Sequence, residues 1–227
     1  MKTLRIAAVA AAAITAAGMS HAATVDFSEF NEGDVLGAGT VLGGGVVADI
    51  SAVGGVAQAV VFDTASGTTS TGNDPDLTSD FTNIEDAGDV RDFGNALIVQ
   101  ENATGGPDDL ASGGVLTFSF LSDIFLDELF LLDSAAGTVA TLLADGNIVA
   151  SFTLTDDNDS DTGQSATNNK FTLLDFGGAT GDTLVVDFED SGAIGQIEIS
   201  AVPVPAGLPL LLGGMGAFAW MKRRKKA

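Results

Sequence analysis

The sequence predicts an all-β protein, a two-sheet β-sandwich of jelly-roll or galactose-binding-like character, on three observations. Short runs of β-branched and aromatic residues are broken throughout by Gly, Asn, Asp and Pro, the pattern of strands and turns. The middle of the chain contains no stretch with apolar residues at helical spacing. Turn signals separate about eleven such runs without a strict repeat of roughly 20–50 residues, which disfavours a solenoid or a propeller.

From the amino end, residues 1–22 are expected to be a secretory signal peptide. Lys2 and Arg5 form a basic start, and Ile6 to Ala17 a short apolar core. Ser20-His21-Ala22 then puts small residues at −3 and −1 of a cleavage site, with Ala23 as the new first residue. An uncleaved N-terminal helix is the alternative. The body follows at 23–201, with strands expected over 24–30, 45–53, 56–63, 96–100, 114–120, 125–133, 138–144, 147–154, 170–176, 182–188 and 193–200.

Asp145-Gly146 between two of these runs reads as a tight hairpin turn. Apolar and polar residues alternate cleanly in Thr117-Phe118-Ser119-Phe120 and in Gln196-Ile197-Glu198-Ile199-Ser200, as expected of strands with one face on a core. Thirteen of the fourteen Phe fall in the body and can fill that core; Phe218 lies beyond it. The stretches 64–91 and 156–169 read as loops. Leu42-Gly43-Gly44-Gly45-Val46 lacks the Lys-Ser/Thr and the helix of a phosphate loop, and reads as a flexible connector.

Charge and inventory exclude several functions. All thirty-one acids lie between Asp26 and Glu198, and without both ends the body keeps only Arg91 and Lys170 as cations, a net charge of −29. Such a body repels nucleic acid and anionic membrane and attracts divalent cations. There is no Cys and no Tyr; the single His, His21, and the single Trp, Trp220, lie in the terminal segments. Thiol, Ser-His-Asp and His-metal mechanisms therefore have no residues in the body to run on.

Calcium is the one cofactor this inventory favours, because hard oxygen ligands are all it offers. One candidate site gathers Asp74, Asp76, Glu101, Asp108 and Asp109, with Asp63 near them in the pattern. A second, Asp157-Asn158-Asp159-Ser160-Asp161-Thr162-Gly163, spaces its acids as an EF-hand loop does. Its Gly falls at position seven, however, and position twelve is Asn168 rather than a bidentate Glu. Both clusters can equally be solvated loops. Paired carboxylates such as Glu101 and Asp109 are the minimum a glycoside hydrolase needs, but the body has no Trp or Tyr on which to stack sugars.

The C-terminal end has three parts. Val202-Pro203-Val204-Pro205-Ala206 leads into an apolar run, and Lys222-Arg223-Arg224-Lys225-Lys226 closes the chain. A helix over 206–221 would be about 24 Å long at roughly 1.5 Å per residue, marginal for a ~30 Å hydrocarbon core. Its basic end would stay in the cytoplasm and the body outside. This end resembles the PEP-CTERM class of sorting signals, most closely the VPLPA-CTERM variety, with Val204 in place of the usual Leu.

The resemblance spans 202–227. It implies recognition by an exosortase-type membrane transpeptidase, cleavage near the Pro-containing motif, and delivery to the cell surface in company with exopolysaccharide. A permanent single-pass anchor is the alternative. Phe62-Asp63-Thr64, the stretch Gly72 to Leu77, Asn95 to Glu101, Pro107-Asp108-Asp109 and Asp187 to Ile194 are similar to a body found in several sorted proteins. The expected function is thus a non-catalytic, exported surface or matrix protein. Alternatives are a calcium-dependent carbohydrate-binding module and, more remotely, a glycoside hydrolase. Expected partners are signal peptidase, the transpeptidase, extracellular polysaccharide, and the membrane before processing.

Overall fold

Two long strands dominate the fold: β9 (Gly114–Leu132) and β12 (Lys170–Phe188). The computed structural model describes residues 22–65, 77, 80–155 and 169–201, and these lie within one compact unit, Ala22–Ala201. Residues 1–21 of the expected signal peptide, 156–168 of the expected loop and the expected sorting tag from Val202 on, including the 206–221 span, fall outside the described residues. Among the described residues no helix is long and apolar enough to cross a membrane, and helix is confined to the short 3-10 turn Gly43–Gly45.

The remaining strands are β1 (Ala22–Val25), β2 (Val35–Leu36), β3 (Thr40–Leu42), β4 (Val46–Val53), β5 (Ala59–Asp63), β6 (Phe81–Asn83), β7 (Val90–Arg91), β8 (Asn95–Val99), β10 (Val139–Ala144), β11 (Asn147–Thr153) and β13 (Ala193–Ala201). Backbone hydrogen bonds join all thirteen into one continuous, almost wholly antiparallel sheet. Its main path runs β11-β10-β12-β9-β13-β8-β5-β2. The described body is therefore all-β, as the sequence predicts.

Each long strand spans what the sequence reads as two strands. In β9, Val115–Phe120 pair with β4 (Val53 to Ala48), while Ile124–Leu132 pair with β13 on the same edge. Opposite both segments runs β12, whose register slips between Asp175 and Ala179 and again between Gly181 and Thr183. Those slips bend the strand rather than end it. Polar residues such as Ser122, Asp123 and Gly177-Gly178 therefore mark bulges where the sequence suggests turns.

The two halves of the sheet are buried differently. In the half built from β4, the start of β9, the end of β12, β10 and β11, burial alternates: Ile50, Leu116, Phe118, Leu184, Val186 and Leu142 face the main core, and their neighbours face outward. In the other half both faces are covered. Val61, Leu97, Val99, Leu129, Leu131 and Ile197 enter the main core. Val60, Phe62, Ile98, Phe130, Leu132 and Ala193 enter a second core on the opposite face. Double burial is why β5 and β8 read as unbroken apolar runs.

The lid of that second core corrects one expectation. The stretch 64–91, expected to be a loop, supplies the fully buried Leu77 and Phe81 and the small β6–β7 pair. β6 pairs parallel with the start of β12. Phe93 lies 5.7 Å from Phe81, 5.7 Å from Phe130 and 5.4 Å from Phe171 between ring centres, tilted or edge-on. Aromatic rings prefer such contacts.

Other expectations shift at the edges. The first strand stops at Val25, because Asp26 takes hydrogen bonds from the backbone and hydroxyl of Ser28 and Phe27 turns the chain at φ 54°. The glycines at 43–45 are not a flexible connector. A Cβ on Gly43 would strike the carbonyl oxygen of Thr24, and one on Gly44 would strike the Cβ of Ala23, so these glycines let β1 pack against the turn. The 145–146 hairpin is as predicted: Asp145 and Gly146 both have positive φ, 50° and 76°, and join β10 to β11.

Candidate functional site

The segment 100–109 holds three of the five predicted calcium ligands, and Gln100 organises it. The Gln100 side-chain amide donates to the carbonyls of Asn102 (2.8 Å) and Gly106 (3.1 Å), and its Oε1 accepts from the Asp108 N–H (3.2 Å). The Glu101 N–H donates to the Asp108 carbonyl at 2.9 Å, closing the loop at its base.

Within that loop the three acids have different surroundings. Asp109 is buried at 6% exposure, and its Oδ2 accepts the Gly192 N–H at 2.8 Å, tying the loop to the turn between β12 and β13. Glu101 and Asp108 are half-buried, and Glu101 Oε2 accepts from Asn102 Nδ2 at 3.3 Å. Asp74, Asp76 and the cluster 157–163 lie outside the described residues. Among the described residues no group of three or more carboxylates is gathered as a ligand set.

Asp63 does not join this loop. It pairs with Asn95 at the start of β8, whereas Glu101 follows the end of that strand. Six residues at about 3.4 Å each put the two roughly 20 Å apart. Asp63 instead accepts the Ala65 N–H at 2.9 Å.

A second acidic feature is visible only through strand register. Asp175 on β12, Glu128 on β9 and Glu198 on β13 are direct neighbours in one row across three strands. Like charges placed opposite one another repel. Burial first, then the charge of Glu198, raises the Glu128 carboxyl above its ordinary value of 4.5; Asp175 and Asp127 add to the rise, and Arg91 opposes it. Asp127, at the adjacent bulge, accepts the Ser200 hydroxyl at 3.1 Å, and Gln196 donates to Glu198 at 3.0 Å.

Arg91 sits between this row and the second core. Its guanidinium lies 4.8 Å from the centre of the Phe130 ring and 5.4 Å from that of Phe171. It also grips Asp89 through two hydrogen bonds, at 3.0 and 3.1 Å. The Arg91 hydrogen bond is the main reason the Asp89 carboxyl is held below its ordinary 3.8. A planar, delocalised cation suits both tasks at once.

No family model matches the chain, and no curated protein matches it. Among solved structures, a fucose binding module of Streptococcus pneumoniae is similar over 40% of this chain and 67% of its own length, with 10% identity and a TM-score of 0.25. A likeness at that level carries no functional argument.

Proposed function

We propose that this chain is an exported, non-catalytic protein of the bacterial surface or extracellular matrix, sorted by its C-terminal tag and associated with exopolysaccharide. One observation supports this most. β1 begins at Ala22, the last residue of the expected signal, β13 ends at Ala201, and these two strands pair, Ala22 opposite Ser200. Ala22, at the expected cleavage bond, and Ala201, which precedes the Pro-containing motif in the chain, thus lie at one end of the same strand pair. Signal peptidase and an exosortase-type transpeptidase would act there, with the 206–221 segment as a transient inner-membrane anchor.

The test is fractionation of cells producing full-length variants. Replacing Pro203 and Pro205, or deleting residues 222–226, is expected to leave the protein in the inner membrane, and exported wild-type protein should begin at Ala23 by mass spectrometry. Variants that reach the surface as efficiently as wild type would overturn the sorting reading.

The body is further proposed to be a folded-over sandwich. In support, side chains from both halves of the sheet, such as Phe118 and Ile197, enter one main core. A strand that switches halves through bulges is one way to make the corner.

The second reading, a calcium-dependent carbohydrate-binding module, draws on the net charge of −29 on the body without its two ends and on the half-buried Glu101 and Asp108. Extracellular calcium modules bind at about 10⁻⁴–10⁻³ M. One such site would add roughly 1.4–2.7 kcal/mol at about 10 mM calcium. Thermal melts in calcium and in sodium of equal ionic strength should then separate, and Asp→Asn changes at Asp74, Asp76 and Asp108 should remove the difference. Coincident melts would dismiss calcium.

A further inference from the structure

We propose that the open face of the sheet half formed by β4, the start of β9, the end of β12, β10 and β11 is a docking surface for an extended, neutral polysaccharide. The proposal deepens the reading of the body as a carbohydrate-associated protein and rests on it. Strand register builds the face. Ser51, Thr117, Val185, Thr141 and Ser151 lie side by side in one row across five strands. Their chain neighbours Ile50, Leu116, Leu184, Val186 and Ala140 point into the main core, so the row itself points outward.

Side chains in such a row stand about 4.8 Å apart across strands and about 6.8 Å apart between rows. Ser51 and Ser151 are exposed, the middle of the row is half-buried, and the hydroxyls of Thr141 and Ser151 share a hydrogen bond of 3.0 Å. The rows on either side continue the pattern with hydroxyl and aliphatic residues.

Charge selects the partner. The body has thirty-one acids, yet this row carries none; Asp49 and Asp187 lie in the rows beside it, and Asp182 accepts the hydroxyl of Thr183 in one of those rows at 2.8 Å. Asp49 is already engaged by the Gly39 N–H at 2.7 Å. An anionic polymer is repelled by the net charge, and a cationic one is drawn to the acid-bearing loops instead. A neutral, hydroxyl-bearing chain matches what is left: alternating hydroxyls that donate and accept, with methyl groups between them.

The face has no aromatic ring, so each sugar contributes little and affinity must accumulate along the chain. Asp49 and Asp187 lie in different rows on strands separated by β9, too far apart to chelate one ion. Binding here is therefore independent of calcium, unlike binding at the 101–109 loop.

Affinity electrophoresis tests this with the full-length chain, purified in a polyoxyethylene detergent that carries no sugar. Gels would contain hydroxyethyl cellulose, a galactomannan or alginate, with and without EDTA. A neutral polymer should retard the protein equally with and without EDTA, alginate should not, and short oligosaccharides should compete poorly. Thr117→Glu and Ser151→Glu should each weaken retardation at least tenfold with unchanged melting. Asn102→Asp, which adds the same charge on the 100–109 loop rather than in these rows, should leave it intact.

If wild type is retarded and both face variants behave like it, the face is not the site, although the carbohydrate reading stands. Retardation that EDTA abolishes, or that alginate also causes, overturns the proposal as well. Retardation by no polysaccharide at all removes the carbohydrate reading itself.

Discussion

The two ends of β9 lie in the same strand and follow opposite rules. From Leu116 to Phe120 every second residue is buried, whereas Leu129, Phe130, Leu131 and Leu132 are all fully buried. The first segment has a core on one side only. The second lies between the main core and a second core roofed by Leu77, Phe81 and Phe93. Alternation in a strand therefore reports how many faces are covered, and a loop-like stretch elsewhere in the sequence can supply the cover.

The largest expected effect sharpens that contrast. Phe130 is fully buried in the second core against Phe93 and Phe171. Phe130→Ala should cost about 3–5 kcal/mol. At roughly 2–4 °C per kcal/mol for a domain of this size, melting should fall by about 6–20 °C. Val185→Ala on the open face of the other half should change stability by no more than about 0.5 kcal/mol. Comparable losses from the two substitutions, measured by denaturant titration, would mean that the halves are not covered differently.

A smaller effect is expected at the edge of the second core. Arg91→Gln removes the cation above Phe130 and Phe171, worth about 0.5–1 kcal/mol. The bridge to Asp89 adds little, because the Arg91 side chain is 38% exposed and that of Asp89 29%. The same change takes away the one charge that opposes the rise of Glu128. Glu128 should then titrate higher still, which NMR of the carboxyl carbon would register. An unmoved Glu128 would separate Arg91 from the acidic row.

The smallest effect is the most diagnostic of register. Glu128 is raised in the folded state, so the fold disfavours its ionised form. Its share of stability is therefore present below the unfolded value of 4.5 and lost as pH rises through the folded value. Glu128→Gln should thus stabilise the protein at neutral pH, by up to about 1 kcal/mol for relieved cross-strand repulsion. It should also flatten the stability profile just above pH 4.5. Asp89 and Asp182 run the other way: both are lowered, so what they contribute is lost only as pH falls below 3.8. Destabilisation by Glu128→Gln at pH 7 would contradict the row.

By itself the sequence determined the all-β class, the Asp145-Gly146 hairpin, and the outward alternation of Thr117 to Phe120 and Gln196 to Ser200. Each follows from local chemistry: β-branched runs, a dipeptide that tolerates positive φ, and a period of two. It also held the Pro-containing motif and the basic end on which the sorting proposal stands. Of the candidate calcium site, the sequence could mark Glu101, Asp108 and Asp109 as acids in a loop. It could not show that Asp109 is committed to Gly192, a residue eighty-three positions away.

Only the tertiary structure decided the rest. It joined 114–120 to 125–133, and 170–176 to 182–188, because a bulge and a turn use the same residues, and only the partner strand tells them apart. It gave the stretch 64–91 a buried role, because a lone Leu77 or Phe81 acquires meaning only beside Phe130 and Phe171. It also set Asp175, Glu128 and Glu198 in a row, and Ser51 to Ser151 in another. Residues far apart in the chain become neighbours through strand register, which long-range hydrogen bonding fixes and local sequence does not record.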